Sequence, residues 1–417
     1  MKHEQNSSQI ADHFFRHESS KLRAALTNVL GTDYMDLCED VVQEAIYRAL
    51  SKWSVSGLPP NPAGWIFKTA RNIAIDHIRR DKLFQGKSAE ILVHLNQFGE
   101  EETFQETQIE DSLLRMIFAC CHPELSSETQ IIMTLKILCS FHNKEIGHAL
   151  LKTESTIEKA VGRGKKKMRS LIDLDTVDAE MDIDERLDNV LHVIYLLYNE
   201  GYKASTGQIL IKESLILEAI RLARLLANHS KTDLPKVNAL LALLLFNSAR
   251  LTTRVSKEGD LLLLQQQNRA EWNYNLIDEA QIYINKASVG DELSKYHLLA
   301  GISACHSYAK DFQSTDWHLI LNLYEMLITQ NQSPVFLLNR IVAVLYEKGP
   351  EQALVDLQLL ETEKSITSYY LYYMVRAEVA SKLGDRDSTL LNLEKALSLV
   401  NNEVEKKFIR LRIEKTT

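Results

Sequence analysis

The sequence predicts an all-α protein, and three observations predict it. Gly and Pro are scarce, 15 and 7 in 417 residues, whereas a sheet protein needs many turn residues. Leu, Ala, Glu and Lys, which all favour helices, are plentiful. Apolar residues recur at helical rather than alternating spacing. The chain is too long for a single compact domain, so two or three folding units are expected.

Taken in order, Ser19 to Leu30 and Asp36 to Trp53 read as helices. In the second, Leu37, Val41, Ala45, Ala49 and Trp53 make a core stripe, with Asp40, Gln43, Glu44, Tyr47 and Lys52 off it. Ser54 to Pro60 reads as a loop. Asn61-Pro62 then supplies an N-cap and a proline at the first helical position, opening a helix expected to reach about Phe84. The acidic, unpatterned stretch 86–111 reads as a flexible linker. A second helical unit spans 112–172. Asp173 to Asp188 carries eight acids against Arg186 alone and marks another boundary. From 173 to 417 helical patterns continue. Gly349 and Gly384 each end one helix and open the next, and they lie 35 residues apart. That is near the ~34-residue tetratricopeptide period and predicts an array of helical hairpins.

The net charge of −8 hides two cationic islands. Trp65 to Lys87 carries Lys68, Arg71, Arg79, Arg80, Lys82 and Lys87 against Asp76 and Asp81. Val161 to Ser170 carries Arg163, Lys165, Lys166, Lys167 and Arg169 and no acid. Local charge governs nucleic-acid contact more than the total does. Cys38, Cys120, Cys121, Cys139 and Cys305 form no disulfide framework and suit a reducing compartment. The polar start of the chain and the short apolar run Leu240 to Phe246 offer neither a signal peptide nor a membrane span. A soluble cytoplasmic protein is expected.

Two segments carry recognition chemistry. Asn143 to Leu150, a turn at Leu151 to Glu154, and a longer helix starting at Ser155-Thr156 make a helix-turn-helix. The second helix of such a motif reads the major groove with its N-terminal half. Thr156, Lys159 and Arg163 share one side of it, and Lys165, Lys166 and Arg169 are placed to meet phosphates. A solvated lysine-rich helix end would have the same composition. In the helix after Pro62, Lys68, Arg71, Asn72 and Arg79 form a stripe opposite Ile66, Ala70, Ile73 and Ala74. That stripe suits a DNA backbone. Trp65 reads as core rather than as a base-stacking platform.

At this level the sequence resembles a known family. "EDVVQEAIYRAL" followed by "NPAGWIFKTARNIAIDHIRRDK" resembles region 2 of sigma-70 factors of the extracytoplasmic-function (ECF) branch. "LSSETQIIMTLKILCSF" with the helix-turn-helix resembles region 4. "LLRMIFACCHPELS", "RLDNVLHVIYLLYNEGYKASTG", "EGDLLLLQQQNRAEW" and "SPVFLLNRIVAVLYEKGP" resemble a subgroup with a tetratricopeptide-like C-terminal extension. The resemblance implies a transcription initiation factor whose partners are core RNA polymerase, through its β′ clamp helices and β flap, and promoter DNA. Asp40, Gln43 and Glu44 would meet the clamp helices. The loop Ser54 to Pro60 would accept a flipped −10 base, and Arg71, Asn72, Arg79 and Arg80 would grip the opening strand. Thr156, Lys159 and Arg163 would read the −35 element. Ala160 and Gly162 depart from the family, which often has Arg and a larger side chain there. The extension would modulate activity and is a candidate for binding a protein or peptide.

Other residues suggest chemistry but predict none. Cys120-Cys121-His122 has no second Cys/His pair at zinc spacing, so packing is expected and no metal or cofactor. Tyr195, Tyr198, Asn199, Glu200 and Tyr202 lack a nucleophile or phosphate loop, so no enzymatic activity is expected. Asn199 and Glu200 are expected to tie down a helix end or an interdomain contact, and the Asp260–Arg269 segment to cross a domain boundary. Two rival readings stand at this point: a one-component regulator that never touches polymerase, and an adaptor whose repeat domain is the active part.

Overall fold

Local sequence decides where the first helices stop. The computed structural model describes residues 19–57, 59–80, 106–171, 183–203, 210–256, 259–361 and 364–417. Among these, helices α1 (19–30), α2 (Met35–Ser56) and α3 (Pro62–Arg80) come first. Gly57 ends α2 with φ 74°, a left-handed conformation open to glycine, and its N–H bonds to Trp53 O. Asn61 caps α3 by accepting from Gly64 N at 2.8 Å, with Pro62 in the first turn. Leu22, Leu26, Val41, Ala45, Ile66, Ala70 and Ile73 close one core among the three helices. Trp53 and Trp65 meet edge-on at its margin, 5.6 Å apart. One expectation is corrected here. Ser54 to Ser56 belong to α2, so the connection to α3 is shorter than the Ser54–Pro60 loop.

Next come α4 (Glu106–Cys120), α5 (Ser127–Met133), α6 (Asn143–Leu150) and α7 (Glu154–Leu171). A π-helical turn, Thr134–Leu138, continues α5. The expected linker overlaps α4, because Glu106 to Asp111 are helical. Leu113, Leu114 and Ile117 are buried on one face of α4. The expected continuation of the helix to Phe84, residues 81–105 and the first part of the expected Asp173–Asp188 boundary lie outside the described residues, and Ile183 to Asp188 are helical, which corrects the last part of that boundary.

The chain divides into two compact units, Met1–Leu196 and Leu197–Thr417, with the division inside α8 (Ile183–Tyr202). The second unit continues through α9 (Glu213–Asn228), α10 (Pro235–Ser248), α11 (Tyr274–Ala287), α12 (Lys295–Tyr308), α13 (Trp317–Gln330), α14 (Pro334–Glu347) and α15 (Pro350–Leu359). It ends with α16 (Lys364–Thr367), α17 (Tyr370–Lys382), α18 (Arg386–Leu399) and α19 (Glu403–Thr416). From Val237 to Phe246, α10 is buried on every side and is the central helix of this unit. Gly349 (φ 98°) joins α14 to α15, and Gly384 (φ 77°) joins α17 to α18, at the two expected joints. The described residues hold no strand, only an isolated bridge between Val255 and Leu261. No described helix is long and apolar enough to cross a membrane.

Candidate nucleic-acid interface

Burial sorts α3 into two faces. Ile66, Ala70, Ile73, Ala74 and Ile78 are buried, while Lys68, Asn72, Arg79 and Arg80 are exposed and Arg71 is half-buried. His77 shares the last turn with Arg79 and Arg80, a contribution the sequence reading missed. Trp65 is half-buried, with Lys52 Nζ 5.4 Å from its ring centroid. On α2, Asp40, Gln43 and Glu44 are all exposed, with Glu44 held by Arg48 one turn on.

The helix-turn-helix closes through backbone detail. Leu151 takes φ 55° and ends α6, with Lys152 N bonded to Gly147 O at 2.8 Å. A Cβ on Gly147 would stand 2.7 Å from Lys152 O, so only glycine lets the turn fold back this closely. Thr153 caps α7, which starts at Glu154, one residue ahead of the expected Ser155: its Oγ1 accepts from Thr156 N at 3.2 Å. Thr156 therefore lies inside the first turn, its hydroxyl 2.8 Å from that of Thr153. Gly164 also serves contact, since a Cβ there would come 2.5 Å from Met133 Sδ.

Three sectors divide α7. Ile157, Ala160, Val161, Gly164 and Met168 face the core. Thr156, Lys159, Arg163 and Lys166 are exposed together on a second sector. The departures from the family fall elsewhere: Ala160 is buried, and open space surrounds Gly162. Lys165 and Arg169 lie on the third sector and pair with acids. Lys165 Nζ is 2.6 Å from Asp36 Oδ1 and 3.2 Å from Glu39 Oε2, and Arg169 Nη2 is 2.8 Å from Asp36 Oδ2. These two residues, expected to meet phosphates, form ion pairs to α2 in this structure.

Glu39 is the hub of that network. Lys136 Nζ lies 2.9 Å from it and Arg23 Nη1 3.8 Å. Arg23 also donates to Ile137 O at 3.4 Å and to the Ser140 hydroxyl. Burial pushes both carboxyls upward, but the cations prevail. Lys165 and Arg169 hold Asp36 below the ordinary range, and Lys136, Lys165 and Arg23 do the same for Glu39.

The remaining candidates resolve into packing. Cys120 and Cys121 are buried, and burial pushes the Cys121 thiol up to about 12. Gln130 Nε2 donates to His122 O at 2.8 Å, and His122 Nδ1 accepts from Glu124 N at 3.2 Å. No group of acids, histidines and cysteines among the described residues is arranged to hold a metal. Tyr198 is fully buried and donates to Leu244 O at 3.1 Å, with Ser248 Oγ at 2.9 Å. Glu200 pairs with Lys212 at 2.6 Å. Arg269 donates to the carbonyls of His306 and Ala309 at 2.5 and 2.8 Å, and Asp260 pairs with Lys407 at 2.5 Å. Both ties stay inside the second unit, which corrects the expected boundary crossing.

Comparison with known proteins gives this geometry its context. Residues 14–83 match sigma-70 region 2, and residues 186–288 match a family of unknown function, DUF6596. ECF RNA polymerase sigma factor SigM of Bacillus subtilis (strain 168) is 25% identical over 138 residues, 32% of this chain and 79% of that protein. RNA polymerase sigma factor SigV of the same strain is 25% identical over 130 residues, 31% and 72% of the two chains. An uncharacterized protein of Rhizobium meliloti (strain 1021) is 33% identical over 386 residues, 91% of this chain and 90% of that protein. No solved structure matches the chain. Region 2 at the start of the chain and the partial similarity to two sigma factors support a sigma factor of the sigma-70 family. Over nearly its full length the chain belongs to one family with the Rhizobium meliloti protein.

Proposed function

We propose that the chain binds core RNA polymerase and directs it to promoters as an ECF-type sigma factor, with a tetratricopeptide-like C-terminal extension that modulates activity. Residues 1–85 serve as region 2, and residues 112–172 serve as region 4. The observation that carries the reading is the joint exposure of two cationic faces on helices whose opposite sides are core. Lys68, Arg71, Asn72, Arg79 and Arg80 grip the −10 strand, and the turn between α2 and α3 accepts an unstacked base. Unstacking costs a few kcal/mol, and a cationic helix beside the turn offsets it. Thr156, Lys159 and Arg163 read −35 base edges, with Lys166 on phosphate. Asp40, Gln43 and Glu44 present an acidic and amide face to the β′ clamp helices, and region 4 meets the β flap. The polymerase performs the bond-making, so the sigma subunit needs no catalytic group or cofactor, and it works in the cytoplasm. The C-terminal unit takes a protein or peptide partner.

Retention of the full chain on immobilised core polymerase tests the reading. The wild-type chain is expected to be retained at low salt, and Gln43→Ala with Glu44→Lys to weaken retention by about tenfold while the helical content stays the same. Absence of wild-type retention at any salt concentration contradicts the reading and favours a regulator that works without polymerase.

A further inference from the structure

The C-terminal unit holds a cavity of about 420 Å³, within the ~300–1,000 Å³ range of small-molecule sites. One wall is aromatic. Trp317 stacks on Tyr346 with centroids 4.6 Å apart, and Phe312 meets both edge-on at 5.3 and 5.0 Å. A concave, largely apolar lining with a few polar groups is the usual form of a small-molecule site.

The charged groups lining the cavity nearly balance. Glu378 accepts from Arg412 at 2.8 Å. Glu405 lies 3.2 Å from Lys203 Nζ and also accepts from the Tyr370 hydroxyl. These pairs leave Arg254 over. Its guanidinium lies 3.8 Å from the Tyr202 ring centroid and donates to Tyr202 O, but no carboxylate among the described residues hydrogen-bonds it. Glu405 acts on it only through space. A largely apolar cavity thus carries one cation that no carboxylate among the described residues meets directly, and a buried charge is costly unless it is paired.

We propose that this cavity binds an amphipathic organic monoanion, with an aromatic or branched aliphatic body and one carboxylate. The body lies against Trp317, Tyr346 and Phe312. The carboxylate takes a charge-assisted hydrogen bond from Arg254. The site stands apart from the sigma reading, because every residue in it belongs to the C-terminal unit.

Calorimetric titration of the full chain with naphthaleneacetate and with its neutral amide, naphthaleneacetamide, tests this. The acetate is expected to bind one-to-one and saturably, about tenfold or more tighter than the amide. Arg254→Met is expected to bring the acetate down to the level of the amide and to leave amide binding unchanged, which reports an intact chamber. Arg254→Lys is expected to keep the preference for the acetate. Val342→Trp, which fills the chamber, is expected to abolish both without loss of helical circular dichroism. The proposal is overturned if the wild-type chain binds neither probe saturably, or binds both equally. It is overturned equally if Arg254→Met keeps the preference or Arg254→Lys loses it.

Discussion

Lys165 on α7 places its ammonium nitrogen 2.6 Å from Oδ1 of Asp36 at the start of α2. The pair joins two helices separated by more than a hundred residues of chain, and its strength depends on burial. Lys165 is 12% exposed and Asp36 64%, so the Asp36 contact is largely screened and contributes within the ~0–1 kcal/mol of surface pairs. Glu39, at 18% exposure, receives Lys136, Lys165 and Arg23. Removing its charge leaves three half-paired cations.

Glu39→Gln is therefore expected to destabilise the α2–α7 contact more than Asp36→Asn does, by about 2 kcal/mol against less than about 1 kcal/mol. Hydrogen exchange of the α2 and α7 amides in the full chain reads the difference. Equal loss of protection in both variants would show that Glu39 is not the hub.

Acid should release the same network. Both carboxyls are held below their unfolded values of ~3.9 for Asp and ~4.3 for Glu. The unfolded chain therefore binds more protons than the folded one in mild acid. The stabilisation is complete above about pH 5 and is lost as the pH falls through the lowered folded-state values. Amide exchange at α7 followed from pH 6 down to 3 is expected to show this step, and Glu39→Gln to reduce it. A step of unchanged size in that variant would assign the transition to other groups.

Glycine substitutions in the helix-turn-helix should separate by sign. Gly147→Ala forces a Cβ to 2.7 Å from a backbone oxygen and is expected to cost about 1–3 kcal/mol. Gly164→Ala meets the flexible Met133 side chain, which moves more readily than backbone, so its cost is expected to be smaller. Gly162→Ala enters open space on an exposed helix and is expected to stabilise by up to about 1 kcal/mol. Thermal unfolding of the three variants checks the order. Stabilisation by Gly147→Ala would refute the close-turn explanation.

These glycines show where the sequence was silent. Within a helical pattern a glycine registers only as a weakness. Its use at Gly147 and Gly164 lies in contacts with Lys152 O and Met133, which periodicity does not carry. The amphipathic stripes of α2 and α3 and the Asn61-Pro62 start were legible because they are local. Thr153 and Ser155 are both good caps, and only the fold chooses between them. Lys165 and Arg169 read as phosphate ligands because their partners, Asp36 and Glu39, lie far away in the chain. Arg269 read as a boundary residue for a similar reason. An arginine bound to the carbonyls of His306 and Ala309 leaves no trace in residue types.

The exposed row on α7 separates reading from gripping. On a promoter fragment, Arg163→Ala is expected to cost ~1–3 kcal/mol and to relax the preference at one −35 position. Lys166→Ala is expected to weaken all sequences alike and to reduce the slope of log affinity against log salt by about 1. Competition binding with single-base variants, repeated at several salt concentrations, distinguishes the two. Equal behaviour of both variants would remove the division of labour.

Run-off transcription tests the central claim most directly: purified core RNA polymerase, the full chain and a randomised promoter library, with Arg79→Ala/Arg80→Ala as the matched control. The expected result is transcripts from a subset of templates sharing two spaced sequence boxes, sharply reduced with the control variant. Transcripts indistinguishable from those of core polymerase alone, made with a folded chain at low salt, would contradict it.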